Sequence, residues 1–298
     1  MFMALGDMPY TVPDDVLRFK RLIARINDLR PAFSLHVGDF KSGSTSCGDE
    51  SFQRVFDLFA RFERPLIYTP GDNDWTDCHR ANNGSYDPLE RLAKVRSMFF
   101  ADPHSSLGKQ RLTLTSQTVE PQFSKYVENV RWERAGVIFS TIHVVGSNNN
   151  LQRDQTAVNE YIERNAANLA WIETTFRHAR AIDARAIVFA FHAQPRFDRE
   201  PPDADQRPGF NDTINSLKLH AMAFGRPLLI IHGDYHTLVI DRPLMGPNHV
   251  RILNATRIMV PGGKEVHGIM VGVDTGDPDI FTFKPVMIPE NMPVWRER

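Results

Sequence analysis

Short apolar runs alternate with helix-period segments from the first residues onward. Phe2 to Leu5 reads as a strand. Asp14 to Leu29 follows, with Val16, Phe19, Leu22, Ile23 and Ile26 on one face and two Asp at its start, both helix signals. Ala32 to Val37 is a second strand, Phe52, Val55, Phe56, Phe59 and Phe62 mark another amphipathic helix, and Leu66 to Thr69 is a third strand. Strand, helix, strand, helix, strand is the grammar of a parallel α/β sheet. Beyond Pro88 the pattern loosens, and residues 101–133 read as an irregular surface excursion. Val137 to Val145 is a strong strand ending in Gly146-Ser-Asn-Asn-Asn150, and a long helix over about 155–180 carries Tyr161, Leu169, Ile172 and Phe176. Ala186 to Phe191 and Pro227 to Ile231 are further buried strands, separated by a loop from Phe197 to Gly209. From Leu238 short alternating runs dominate (Val250 to Leu253, Arg257 to Val260, Ile269 to Val273, Ile280 to Phe283), expected to pair antiparallel over about 238–285. With no repeat and no linker, the expectation is one domain over 1–298, its second, mixed sheet built partly from the C-terminal third.

Charge narrows the partners. Lys plus Arg is 35 against 36 Asp plus Glu, so nothing marks a binder of nucleic acid or of an anionic membrane surface. No apolar run approaches the roughly 20 residues of a membrane span, so membrane insertion is not expected. The chain starts directly on its first strand, without a visible signal peptide. Two expectations stay open: a trimmed mature form, exported or periplasmic, or a plain cytoplasmic start.

The chemistry gathers where strands end. The first three strands run into Gly6-Asp7, Gly38-Asp39 and Gly71-Asp72-Asn73-Asp74, and the later buried ones into His192 and His232-Gly-Asp-Tyr-His236. Loops at the carboxyl ends of parallel strands line one crevice, so these side chains are expected to converge. Mixed carboxylate, amide and imidazole ligation suits Mn, Fe, Zn or Mg. One Gly-Asp after a strand is ordinarily a turn or a helix cap; five strand ends delivering ligand-type side chains are harder to obtain from turns alone.

The ordered series Gly-Asp, Gly-Asp, Gly-Asp-Asn-Asp, His, Gly-Asp-x-His resembles the calcineurin-like metallophosphoesterases, a superfamily that includes the purple acid phosphatases. It also looks like a subgroup whose third motif reads Gly-Asp-Asn-Asp/Glu-Trp. The resemblance spans residues 6 to 236. It implies a four-layer α-β-β-α sandwich, two mixed β-sheets flanked by helices, with a metal site at the sheet edge. It implies hydrolysis of a small phosphorylated substrate by a metal-bridging hydroxide. The alternatives are a phosphodiesterase or nucleotide pyrophosphatase on the same scaffold, and a degenerate, non-catalytic metal- or phosphate-binding protein.

Carried over by position, Asp7, Asp39 and His236 would hold the first of two divalent ions. Asp39, Asp72 or Asn73, His192 and Asp234 would hold the second. Four positions depart from the family pattern: Pro9 stands where a His is common, Asp72 stands for Asn, and Asn73 and Asp234 each stand for His. The lost His leaves a gap for water or Tyr10. Extra carboxylates favour Mn or Mg over Zn or Fe. Asn73 occupies the place of the family's leaving-group His, and an amide cannot supply a proton at neutral pH. His79 is the first candidate to replace it, with His36 and His232 as others. Asp74 is expected to orient its neighbours, and Asp77 to pair with Arg80 or to be solvated. Tyr10, Asn148, Asn149 and Arg80 are candidate substrate contacts; Tyr10 and Trp75 either flank a leaving group or pack. Cys47 and Cys78 lie on loops leaving the same sheet edge, so they form either a disulfide, which would accompany export, or two reduced thiols.

Overall fold

The structure, a computed structural model, describes residues 1–197 and 208–292. Its first sheet takes strands from both ends of the chain: β1 (Phe2–Leu5), β2 (Ser34–His36) and β3 (Leu66–Tyr68), with β11 (Gly268–Val273) and β12 (Phe281–Val286) in the order β12-β11-β1-β2-β3. β1, β2 and β3 run parallel, and β11 and β12 add antiparallel at the β1 side. The second sheet has seven strands in the order β4-β5-β6-β7-β8-β10-β9. They are β4 (Thr115–Ser116), β5 (Val130–Arg134), β6 (Val137–Thr141), β7 (Ala186–Ala190), β8 (Leu228–His232), β9 (Val239–Asp241) and β10 (Ala255–Met259).

The period of two along each strand divides the core. In β1, Phe2 and Ala4 face the second sheet and pack with Phe33, Leu35, Phe139, Val188 and Leu229. Met3 and Leu5 point the other way, onto Phe19, Leu22, Phe52 and Phe59 of α1 (Asp14–Leu29) and α2 (Asp49–Phe59). α3 (Pro88–Phe99) adds Val95 and Phe99 to that layer. On the far side, Ile138, Ile187, Phe189 and Ile230 meet Trp171, Ile172 and Phe176 of α5 (Gln155–Ala181) and Leu217 and Ala221 of α6 (Asn211–Phe224). Helices, sheet, sheet, helices: the four expected layers are present.

Several sequence expectations change. β10 runs parallel to β8 and antiparallel only to β9, and β11 and β12 join the first sheet, so the C-terminal portion divides between the sheets. Alternation reports which faces are buried, not strand direction. Val250 to Leu253 forms no strand, only the bridge between Met245 and Arg251. The excursion at 101–133 ends in β5, with β4 hairpinned on it. Most of the Phe197 to Gly209 loop lies outside the described residues.

Candidate metal centre

The carboxyl ends of β1, β2, β3, β7 and β8 face one crevice, and the backbone there is strained in a shared way. Asp7, Asp39, Asp234 and His236 all adopt left-handed φ, at 56°, 54°, 79° and 60°. For non-glycine residues this costs on the order of 1–2 kcal/mol each, a cost that concentrates at functional sites. Glycines make room for the result. A Cβ on Gly71 would stand 2.1 Å from Asp39 Oδ1, and one on Gly233 would stand 2.2 Å from Asp7 Oδ2.

Two clusters of donors meet at Asp39. Tyr10 Oη lies 3.4 Å from Asp7 Oδ1, 3.2 Å from Asp39 Oδ2 and 3.0 Å from His236 Nε2, while His236 Nε2 lies 3.5 Å from Asp7 Oδ1. Next to this group, His192 Nε2 stands 3.4 Å from Asp39 Oδ1 and 2.9 Å from Asp72 Oδ1, and Asp234 completes a cluster with Asp72 and His192. Donors around a six-coordinate divalent ion at about 2.1 Å sit about 3 Å from one another, which these separations resemble.

Among the described residues, Asp7 Oδ2, Asp72 Oδ1 and His192 Nε2 are buried without a hydrogen-bond partner. The His192–Asp72 approach is short enough for an ion pair but lacks hydrogen-bond alignment. Buried polar atoms of native proteins are nearly always satisfied. Three orphaned ligand atoms on one crevice fit a bound cation.

Charge points the same way. Burial, then the neighbouring Asp72, Asp74 and Asp7 carboxylates, pushes Asp39 well above the usual carboxylate range, against the pull of His192. Asp234 is pushed up to about 6 by burial and by Asp72. Burial lowers the His192 imidazole, but Asp39, Asp72 and Asp7 together raise it well above its ordinary value. Protons or cations must neutralise so many buried carboxylates.

Other residues hold these side chains in place. Asp74 accepts from the amides of Asp39, Phe40 and Gly71 and from Tyr68 Oη, tying the second and third loops together. His192 Nδ1 faces the Val37 carbonyl at 2.9 Å, which directs Nε2 into the crevice. Behind the third loop, Trp75 Nε1 donates to His143 Nε2, and His143 Nδ1 donates to Glu128, which also binds Arg96. Burial keeps His143 neutral against the pull of Glu128, the tautomer this chain requires. Sequence reading missed His143 and Glu128, because His143 falls inside the run read as the strand Val137 to Val145, although β6 ends at Thr141, and Glu128 precedes β5. Cys47 and Cys78 form a disulfide between the loops after β2 and β3.

The remaining candidates separate. Asp72 clusters with His192 and Asp234, whereas Asn73 Nδ2 and its backbone amide donate to Asp39, so Asn73 stands as a support of Asp39 in this geometry. Trp75 is fully buried and packs with Leu92 and Val145, so it flanks no leaving group. His36 is buried against the Met8 carbonyl and pushed down to about 4 by burial, and His232 is pushed down to about 3 by burial and Arg257. Neither is an imidazolium at neutral pH. Asn149 turns inward, its amide on Gly209 and its oxygen on Arg164, away from any substrate. Arg80 pairs with Asp77 at 2.7 Å. A cavity of about 500 Å³ opens beside Asp72 and Asp234; His79, Arg80, Asn148 and Arg153 line it. Tyr10 belongs to the donor cluster instead.

No family model and no curated protein matches the sequence. Solved structures do. A dimetal phosphatase from Danio rerio superposes with a TM-score of 0.57 at 9% identity, covering 96% of this chain and 95% of that one. GAP50, the anchor in the inner membrane complex of Plasmodium, gives 0.52 at 12% identity, covering 96% of this chain and 88% of its own. At such identities the likeness is one of fold. That fold is a sandwich of two mixed sheets flanked by helices, shared with the dimetal phosphatase.

Proposed function

We propose that the chain hydrolyses a phosphate ester with the help of two divalent metal ions. The observation that carries this reading is the convergence of three orphaned buried ligand atoms, on Asp7, Asp72 and His192, in two donor groups, Asp7–Asp39–His192 and Asp72–His192–Asp234. Asp7, Asp39, His236 and Tyr10 hold the first ion, with the Tyr10 oxygen in the place of the imidazole that Pro9 cannot supply. Asp39, Asp72, His192 and Asp234 hold the second. Hard oxygen donors in the majority favour Mn²⁺ or Mg²⁺. Bound there, the ions supply Lewis acidity to the phosphoryl group and to an attacking water.

The chain's own residues do the rest. Asn73 fixes both oxygens of Asp39, and Asp74 fixes the loops that carry Asp39 and Asp72. His79 is the candidate proton carrier on the cavity wall. Its Nδ1–H donates to the Thr76 carbonyl, so Nε2 is the lone-pair nitrogen of the neutral ring and would deliver a proton to a leaving oxygen only from the imidazolium form. The disulfide supports a further proposal, that the protein works in an oxidising, exported setting.

The test is hydrolysis of p-nitrophenyl phosphate and its bis ester by Mn²⁺-loaded protein, beside Asp39→Asn. Turnover that vanishes in the variant supports the reading, and the mono-to-bis ratio assigns ester class. Bound metal without turnover of either ester favours a second reading, a non-catalytic metal- or phosphate-binding protein. That alternative draws on Asn73, which spends its amide on Asp39 where the family pattern has a His. A fold neighbour named as an anchor is in keeping with it.

A further inference from the structure

The cavity beside Asp72 and Asp234 is lined by two arginines and a buried amide. Arg80 enters it from the short turn after β3, and Arg153 from the segment ahead of α5. Both guanidiniums are anchored: Arg80 on Asp77, and Arg153 through Nη1 on the Thr76 carbonyl and Asn150 Oδ1. Arg153 Nε also meets the half-exposed carboxylate of Asp154. Asn148 is 4% exposed, lines the same cavity, and its buried Nδ2 donor has no partner among the described residues. The acids in the wall are engaged already, Asp77 by Arg80 and, under the reading above, Asp72 and Asp234 by the second metal. What remains for a ligand is donor-rich, the N–H groups of two anchored guanidiniums and the Asn148 amide, in the planar, forked chemistry that suits phosphate.

We infer that this cavity takes a second phosphate group of the substrate, so that the compound hydrolysed is a phosphoanhydride or a bisphosphate rather than the monoester of a neutral alcohol. The inference rests on the metal-dependent reading of the adjoining centre and names its substrate class. Arg153 and Arg80 grip the second phosphate, the Asn148 amide donates to it, and the reacting phosphoryl group lies at Asp72 and Asp234.

Calorimetric titration of Mn²⁺-loaded protein with trimethylene bisphosphonate and with propylphosphonate tests this, with metal content measured on the same samples. Wild type is expected to favour the bisphosphonate by about tenfold or more, roughly the value of one well-made charged contact. Arg153→Met should cut that preference to about twofold while leaving propylphosphonate binding unchanged, and Arg80→Met should cut the preference likewise; Arg153→Lys, which keeps the charge but loses the fork, should recover part of it. Equal binding of the two probes by wild type, or a preference that survives both Met variants, overturns the inference. If metal is retained and propylphosphonate binds without such a preference, only the second-phosphate assignment falls. If no metal is retained and neither probe binds, the metal-dependent reading fails and takes this one with it.

Discussion

The two proposed metal positions share Asp39 and differ in almost everything else. The first draws on a phenol and on His236, whose side chain is 40% exposed. The second draws on His192, wholly buried, and on two carboxylates, Asp72 and Asp234, at positions where the family pattern has neutral donors. One position is therefore open and softly supported, the other enclosed and strongly anionic. Enclosure strengthens each charge interaction, so the second position should bind its ion more tightly and discriminate more sharply by hardness.

The largest expected effect erases the comparison altogether. Asp39→Asn removes the carboxylate common to both positions and should lower phosphoesterase activity about a thousandfold, the equivalent of several kcal/mol of Lewis-acid stabilisation. Metal analysis should find both ions depleted; one ion kept at full occupancy would show that Asp39 is not shared.

Glu128→Gln comes next and acts on the enclosed position through the Trp75–His143 chain. Burial alone would raise the Glu128 carboxyl, but Arg96 and His143 hold it well below the usual range. Its stabilisation is thus present in full above the unfolded-state value of about 4.3, and is lost as pH falls below that toward the folded one. The variant should lose about 3 kcal/mol at pH 7 in urea unfolding, and its stability should fall less steeply than wild type below about pH 4. Parallel pH profiles for the two proteins would count against this account.

Asp72→Asn sharpens the contrast by restoring a neutral donor. About a tenfold loss of Mn²⁺ affinity at one of two sites, with Zn²⁺ affected less, is expected from competitive metal titration. Tyr10→Phe should give the smallest change, a loss of a few-fold confined to the weaker ion. Two equal affinities in wild type, or a Tyr10→Phe effect on the tighter ion, would undo the assignment.

Much of the centre was legible because its residues sit directly behind buried strands, where Gly-Asp and His endings stand out against apolar runs. The register at Asp72 and Asn73 was not legible; it depends on which side chain the third loop turns toward His192. α6 escaped because its buried face consists of Thr213, Leu217 and Ala221, too small and too polar to mark a stripe. α3 escaped for a similar reason, since its buried face includes Pro88 and Arg91. Asn148 carried a signal in its run of three Asn. Which of the three would face the cavity depended on left-handed turns at Asn148, Asn149 and Asn150 that no pattern announces.

The position of β1 has a consequence for how the protein is made. One neighbour of β1 is β2, close in sequence, and the other is β11, where Met3 stands opposite Met270. Gly263 also donates to the Asp7 carbonyl, and His236 meets Asp7 across the crevice. A chain emerging from the ribosome therefore holds its first ligand unsheltered until nearly all of the sequence has been synthesised. Contacts of such long sequence separation slow folding and leave strand edges open meanwhile. The first metal position should thus be among the last features of the molecule to form.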